Sequence, residues 1–215
     1  MNSNKILNII LALTLLVVIL KSQMINPNTK TEQEMNDANS ADKAKIILGN
    51  IHSRVSIRRF TDKPVEKATL EEIVKAGMSA PTAANKQPWK FIVIANRKTL
   101  DELAEELPYA KMLKDAPAAI VVCGDTSKTL AGIEAQFWIQ DCSAASENIL
   151  LAVHAKGLGA VWTAVYPMQD RMKFVSKTLE LAENLVPLNV IPIGYPDGKP
   201  PAKNKWKPEN VIYKN

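Results

Sequence analysis

Residues 80–95 read A-P-T-A-A-N-K-Q-P-W-K-F-I-V-I-A, and the two halves of this stretch obey different rules. Pro81 and Pro88 each lack a backbone donor, and each biases the residue before it toward extended geometry, so the first half is neither regular helix nor regular strand. Thr82, Ala83 and Ala84 are small, which lets a flat surface come close to the backbone. Asn85, Lys86 and Gln87 supply polar groups between the prolines. From Trp89 the chain turns apolar. Trp89, Phe91 and Val93 alternate with Lys90, Ile92 and Ile94, a pattern that predicts a strand buried on both faces. A rigid loop of small and amide side chains leading into such a strand suits a planar ligand. It also suits a proline-rich connection that only turns the chain.

Around this stretch the chain mixes helices and strands without a regular β-α-β repeat. A T-x-x-E capping box at Thr69 and Glu72 opens a helix over 69–79, with Leu70, Ile73, Val74 and Met78 facing inward. An amphipathic helix follows over 98–107 and a buried strand over 118–123. Residues 131–156 predict the longest helix, closed by Gly157 and buried on much of its surface. Phe137, Trp138, Ala145, Ile149 and Val153 serve there as core or subunit contact, and His154 as a core histidine. Strands over 158–167 and 186–195 flank a helix over 168–181. The tail 196–215 is too rich in Pro and Lys for compact structure of its own. Together these elements fit an α+β layered domain.

A chain of 215 residues with 47% hydrophobic and 23% charged residues has globular composition. Its net charge of +5 comes from the ends, Lys5, Lys21 and the Lys-rich tail, while residues 22–196 balance. That argues against a nucleic-acid surface. Cys123 and Cys142 are the only cysteines, in apolar surroundings and outside any C-x-x-C pair; with two His in the chain, no zinc site is indicated. A disulfide between them is left open. No G-x-S-x-G or H-E-x-x-H motif supports a hydrolase.

Residues 6–20 are apolar apart from Asn8 and Thr14 and follow Lys5. Residues 1–24 therefore read as an export signal or N-terminal membrane anchor, so that the protein is exported or held at a membrane, on either side. Residues 25–42 are polar and aperiodic and read as a flexible spacer. Helical character begins near residue 41 and runs to about 52.

Residues 53–61, S-R-V-S-I-R-R-F-T, place Arg54, Ser56 and Arg58 on one side of an extended chain. Two guanidiniums and a hydroxyl suit a phosphate or the carbonyl edge of a ring. A solvated edge strand is the alternative.

Three pieces now stand in order: R-V-S-I-R at 54–58, A-P-T-A-A-N-K-Q-P-W at 80–89 and G-L-G-A-V-W-T-A at 157–164. Over residues 51–207 they resemble the nitroreductase family of FMN-dependent oxidoreductases. The resemblance implies a three-layer α/β/α sandwich over 43–215, with a mixed, mainly antiparallel sheet, a long central helix and an extended C-terminal tail. It implies a homodimer with FMN in two interface clefts, each built partly from both subunits. By position, Arg54, Ser56 and Arg58 would contact the flavin phosphate, ribityl chain and pyrimidine edge. Pro81, Thr82 and Ala83 would lie along the ring, with Asn85 and Gln87 fixing the loop or reaching the ring edge. Trp162, Thr163 and Ala164 would approach near N5. Lys203 and Lys205 would clamp the phosphate, in a K-N-K-W-K-P context where the family often has Arg. Ala84 and Ala164 replace positions often filled by Gly, narrowing the cleft. The implied activity is hydride transfer from NADH or NADPH through FMN to a small electron-poor acceptor, a nitroaromatic or quinone, by a ping-pong mechanism. The flavin carries the chemistry, so no side chain is named as catalytic. Dehalogenation, flavin breakdown and a non-catalytic, membrane-tethered flavin-binding role are the alternatives. The short 111–128 region leaves little room for the lid that dehalogenating relatives carry.

Overall fold

The computed structural model describes residue 14, residues 27–198 and residues 200–214. In chain order its helices are α1 Pro27–Ser53, α2 Lys67–Met78, α3 Arg97–Glu106, α4 Trp138–Ala155 and α5 Gln169–Thr178. Its strands are β1 Trp89–Ile94, β2 Ala118–Asp125, β3 Gly159–Ala160, β4 Thr163–Ala164 and β5 Leu185–Gly194. The sheet order is β1-β2-β5-β3, with β4 also paired to β5, and every ladder is antiparallel. A lone parallel bridge joins Ser56 to Ala160.

The layering follows from alternation along β2, which is buried at every position. Ala118, Ile120 and Val122 face a core shared with Leu70 and Ile73 of α2 and with Ala145, Ile149 and Val153 of α4. Ala119, Val121 and Cys123 face a second core built with Leu100, Leu103 and Ala104 of α3 and Val175 of α5. A sheet apolar on both faces must be covered on both, and the result is the predicted three-layer α+β sandwich.

Several local expectations are corrected. β1 lies at the sheet's edge, and Val93 is 44% exposed, so this strand is not buried on both faces. The capping box does not form: α2 begins at Lys67, before Thr69, with Glu66 as a cap that makes no side-chain bond. Met78 is 51% exposed, and Gly77 takes the inward position against Ile149. The run 131–156 divides into a 3-10 stretch, Gly132–Phe137, and the 18-residue α4, so α1 with 27 residues is longer. The end of α4 keeps its predicted form. Gly157, at φ 72°, donates to His154 O while Leu158 N donates to Val153 O, the reciprocal pair of a Schellman motif. Cys123 and Cys142 are both free and buried, and the Cys142 thiol donates to Cys123 O at 3.5 Å.

The described residues fall into two units, the first ending at Gly49 and the second beginning at Asn50. Composition predicts a flexible spacer over 25–42, whereas the backbone is helical from Pro27. A helix satisfies its own backbone whatever its side chains.

The expected export or membrane anchorage is corrected. Among the described residues no helix is long and apolar enough to cross a membrane. α1 has the length, but Lys30, Glu32, Glu34, Asp37, Asp42, Lys43 and Lys45 interrupt it. A span needs about 20 predominantly apolar residues. The apolar run 6–20 behind that expectation lies outside the described residues, apart from Thr14.

Candidate functional site

Ile57 holds the first piece of the site in place. Its side chain is buried beside Phe60 and Ala116, its N–H donates to Ala160 O at 2.9 Å, and it lies directly against Gly159. A Cβ on Gly159 would sit 2.6 Å from Ile57 Cβ, so only glycine admits this approach. With Ile57 turned inward, Ser56 and Arg58 on either side are exposed. Arg54 pairs through Nε with Glu147 Oε1 at 3.2 Å.

Arg54, Ser56 and Arg58 line a cavity of about 1030 Å³ together with Lys203, Lys205 and Trp206 of the tail. Among the described residues no acidic side chain lines it. Two stretches 145 residues apart thus bring two guanidiniums and two ammoniums around one space, an arrangement that favours an anion.

A second cavity of about 480 Å³ is lined by Trp162, Thr163 and Ala164, by Tyr109 and Lys111, and again by Arg58. The Thr163 hydroxyl is buried and donates to Val190 O at 2.6 Å, so this residue offers the cavity its backbone rather than its side chain. Ala164 is exposed and Trp162 half-buried. Arg58 is common to both cavities.

The proline-flanked loop stands apart from both. Ala84, Asn85 and Gln87 all have positive φ, 48°, 53° and 49°, a left-handed geometry that costs a non-glycine residue about 1–2 kcal/mol. Internal bonds hold it: Gln87 N donates to Thr82 Oγ1 at 3.1 Å, and Gln87 Nε2 to Asn85 Oδ1 at 3.0 Å. Ala83 N donates to Asp141 Oδ1 at 2.9 Å, which fastens the loop to the first turn of α4. Asp141 is only 7% exposed. Pro81, Thr82, Ala83, Asn85 and Gln87 line neither of the two cavities.

Sequence reasoning passed over Asp141, Tyr109 and Trp206. Asp141 left a signal, a single acid in the first turn of a largely apolar helix. Tyr109 and Trp206 left none, because their place depends on the path of the loop and the tail.

The sequence matches the nitroreductase family over residues 51–107 and 104–195. The chain belongs to the nitroreductase family.

Two similar proteins share the name "Putative NADH dehydrogenase/NAD(P)H nitroreductase". One, from Methanothermobacter thermautotrophicus, is 43% identical over 166 residues, covering 77% of this chain and 85% of its own. The other, a crystal structure from Parabacteroides distasonis, is 48% identical with a TM-score of 0.74, covering 79% of this chain and 98% of its own. A further nitroreductase-fold structure, from Desulfovibrio desulfuricans and in complex with FMN, is 29% identical with a TM-score of 0.68, covering 79% and 96%. Against these neighbours the three-layer fold of this nitroreductase is the family's own.

Proposed function

We propose that this nitroreductase is an NAD(P)H-dependent flavin oxidoreductase that holds FMN across the cationic cavity and the Trp162–Ala164 slot and reduces a nitroaromatic, quinone or similar electron-poor acceptor. The observation that carries the reading is the shared position of Arg58: one guanidinium lines both the cationic cavity and the Trp162–Ala164 slot. A molecule with an anionic end and a planar end, the outline of FMN, fits that pair.

Arg54, Lys203 and Lys205 hold the phosphate end by charge-assisted hydrogen bonds, and Ser56 adds a hydroxyl. Arg58 meets the polar edge of the ring, and the backbone at 162–164 borders its reactive side. Bound FMN supplies hydride transfer; the protein supplies position and charge. Reduction of a nitro group to a nitroso group consumes one NAD(P)H and one proton in the balance ArNO₂ + NAD(P)H + H⁺ → ArNO + NAD(P)⁺ + H₂O. Donor and acceptor use the same cleft in turn, a ping-pong order.

The loop 81–87 enters through a second copy. It lines neither cavity of its own protomer, and its small exposed face suits a partner's ring. The exposed Ile46, Ile47 and Ile51 of α1 supply apolar surface for the homodimer.

The test is an absorption spectrum of the protein purified without added flavin, then mixed anaerobically with NADH or NADPH. A flavin spectrum that bleaches supports the reading and identifies the donor. No bound flavin, and none taken up from added FMN, overturns it. Arg58→Ala is expected to weaken FMN binding about tenfold or more.

A further inference from the structure

We infer that Glu147 is a positioning residue of the cationic cavity: it takes up the Nε edge of the Arg54 guanidinium and so leaves both terminal nitrogens to a phosphate. The phosphate is the flavin's own in the reading above, on which this inference rests.

Arg54 lines the cavity and Glu147 does not. Glu147 Oε1 lies 3.2 Å from Arg54 Nε, and among the described residues Arg54 makes no second ion pair. A guanidinium carries one donor on Nε and the rest on its two terminal nitrogens, all in one plane. A carboxylate at Nε therefore spares the edge whose two donors match two phosphate oxygens. The Glu147 side chain is 49% exposed, and a pair so close to solvent adds little to stability.

The backbone beneath Arg54 is held without Glu147. Asn50 Nδ2 donates to Leu151 O at 3.1 Å, Ser53 Oγ lies 2.9 Å from His154 Nε2, and Ile57 N donates to Ala160 O at 2.9 Å. Residues 147, 151 and 154 share one face of α4, at a spacing of i, i+4 and i+7. The stretch 50–54 thus runs along one stripe of that helix. Asn50 and Ser53 do not line the cavity, whereas Arg54 does. What the acid fixes is the arginine's rotamer, not the path of the chain. A loose arginine samples many rotamers, and ordering it on a phosphate weakens binding; one already held by a carboxylate is spared that loss. The same carboxylate adds a negative charge that opposes an anion, but solvent around its exposed half screens the repulsion.

The experiment titrates the full chain, freed of flavin, with FMN and with riboflavin, which lacks the phosphate. Flavin fluorescence reads both. Inorganic phosphate is titrated alone and read from tryptophan fluorescence, since Trp206 lines the cavity. Glu147→Ala should weaken FMN and inorganic phosphate about fivefold and riboflavin less than about twofold, with urea stability near wild type. Glu147→Gln keeps an oxygen for Nε and should retain most of the FMN affinity. In an Arg54→Ala background, Glu147→Ala should cause no further loss. A merely structural role would weaken FMN and riboflavin together and would persist without Arg54; that pattern overturns the assignment. So does tighter FMN binding in both Glu147 variants, which would make the acid a repulsive charge and nothing more. If inorganic phosphate binds more weakly to Glu147→Ala while wild type takes up no flavin, the positioning role stands and the flavin reading falls. If wild type and Glu147→Ala bind FMN alike, the flavin reading stands and the positioning role falls.

Discussion

The Asp141 carboxylate accepts a hydrogen bond from the backbone N–H of Ala83 at 2.9 Å and is buried as it does so. It ties a loop with three left-handed, non-glycine residues to the helix that forms the centre of one core layer. Asp141→Ala removes the acceptor and is expected to cost about 1–2 kcal/mol in urea unfolding. It should also reduce FMN retention, because the loop relaxes away from its platform shape. Asp141→Asn keeps an acceptor and should restore most of both. Equal behaviour of the two variants would contradict the assignment.

Ala84 holds φ 48° and ψ 29°. Glycine adopts that geometry without the Cβ conflict, worth about 1–2 kcal/mol, and gives back about 0.4–1 kcal/mol through the freer unfolded chain. Ala84→Gly should therefore stabilise by about 0.5 kcal/mol. A fall in Tm would show that the loop relieves its strain another way.

Gly159 and Ile57 occupy touching volumes, with 2.6–2.7 Å between a built Cβ and three atoms of Ile57. Gly159→Ala must displace the backbone carrying Ser56 and Arg58, at a cost of about 1–3 kcal/mol. FMN affinity should fall with it. Adding Ile57→Ala to Gly159→Ala should recover part of the loss, so a double-mutant cycle will show favourable coupling. Simple additivity would rule out the contact as the cause.

Burial pushes the Cys123 and Cys142 thiols from 9.0 up to about 12; nearby Cys123 and Asp141 add to the rise at Cys142. Between these values the unfolded chain releases thiol protons that the folded chain keeps. The stabilisation is complete below about pH 9 and is lost as pH rises toward 12, by up to about 1.4 kcal/mol per pH unit for each thiol. Cys123→Ala should flatten the alkaline slope of urea stability relative to wild type. Parallel slopes would contradict the shift.

The layers were legible because burial leaves a period. The unbroken apolar run 118–123 and the apolar faces of α2 and α3 each follow from one element's need to hide one or two surfaces. The Arg54–Arg58 spacing was legible for the same reason, since extended chain sends alternate residues to opposite sides. Met78 and the edge position of β1 were not, because both depend on which neighbour stands alongside. The capping box at Thr69 failed because the chain entered its helix one half-turn earlier, at Lys67, and no local rule forbids that.

By itself, then, the sequence determined a two-sided sheet between helices, three motifs in family order and a cationic tail. Each is a matter of residue type and short spacing, set by steric preference and by water. The tertiary structure alone decided that Lys203 and Lys205 share a cavity with Arg54, that Arg58 borders both that cavity and the Trp162–Ala164 slot, and that the loop 81–87 lines neither. It also decided that a buried acid from α4 fastens that loop. These are meetings between distant stretches, and their geometry depends on how the layers stack rather than on any one segment's preference.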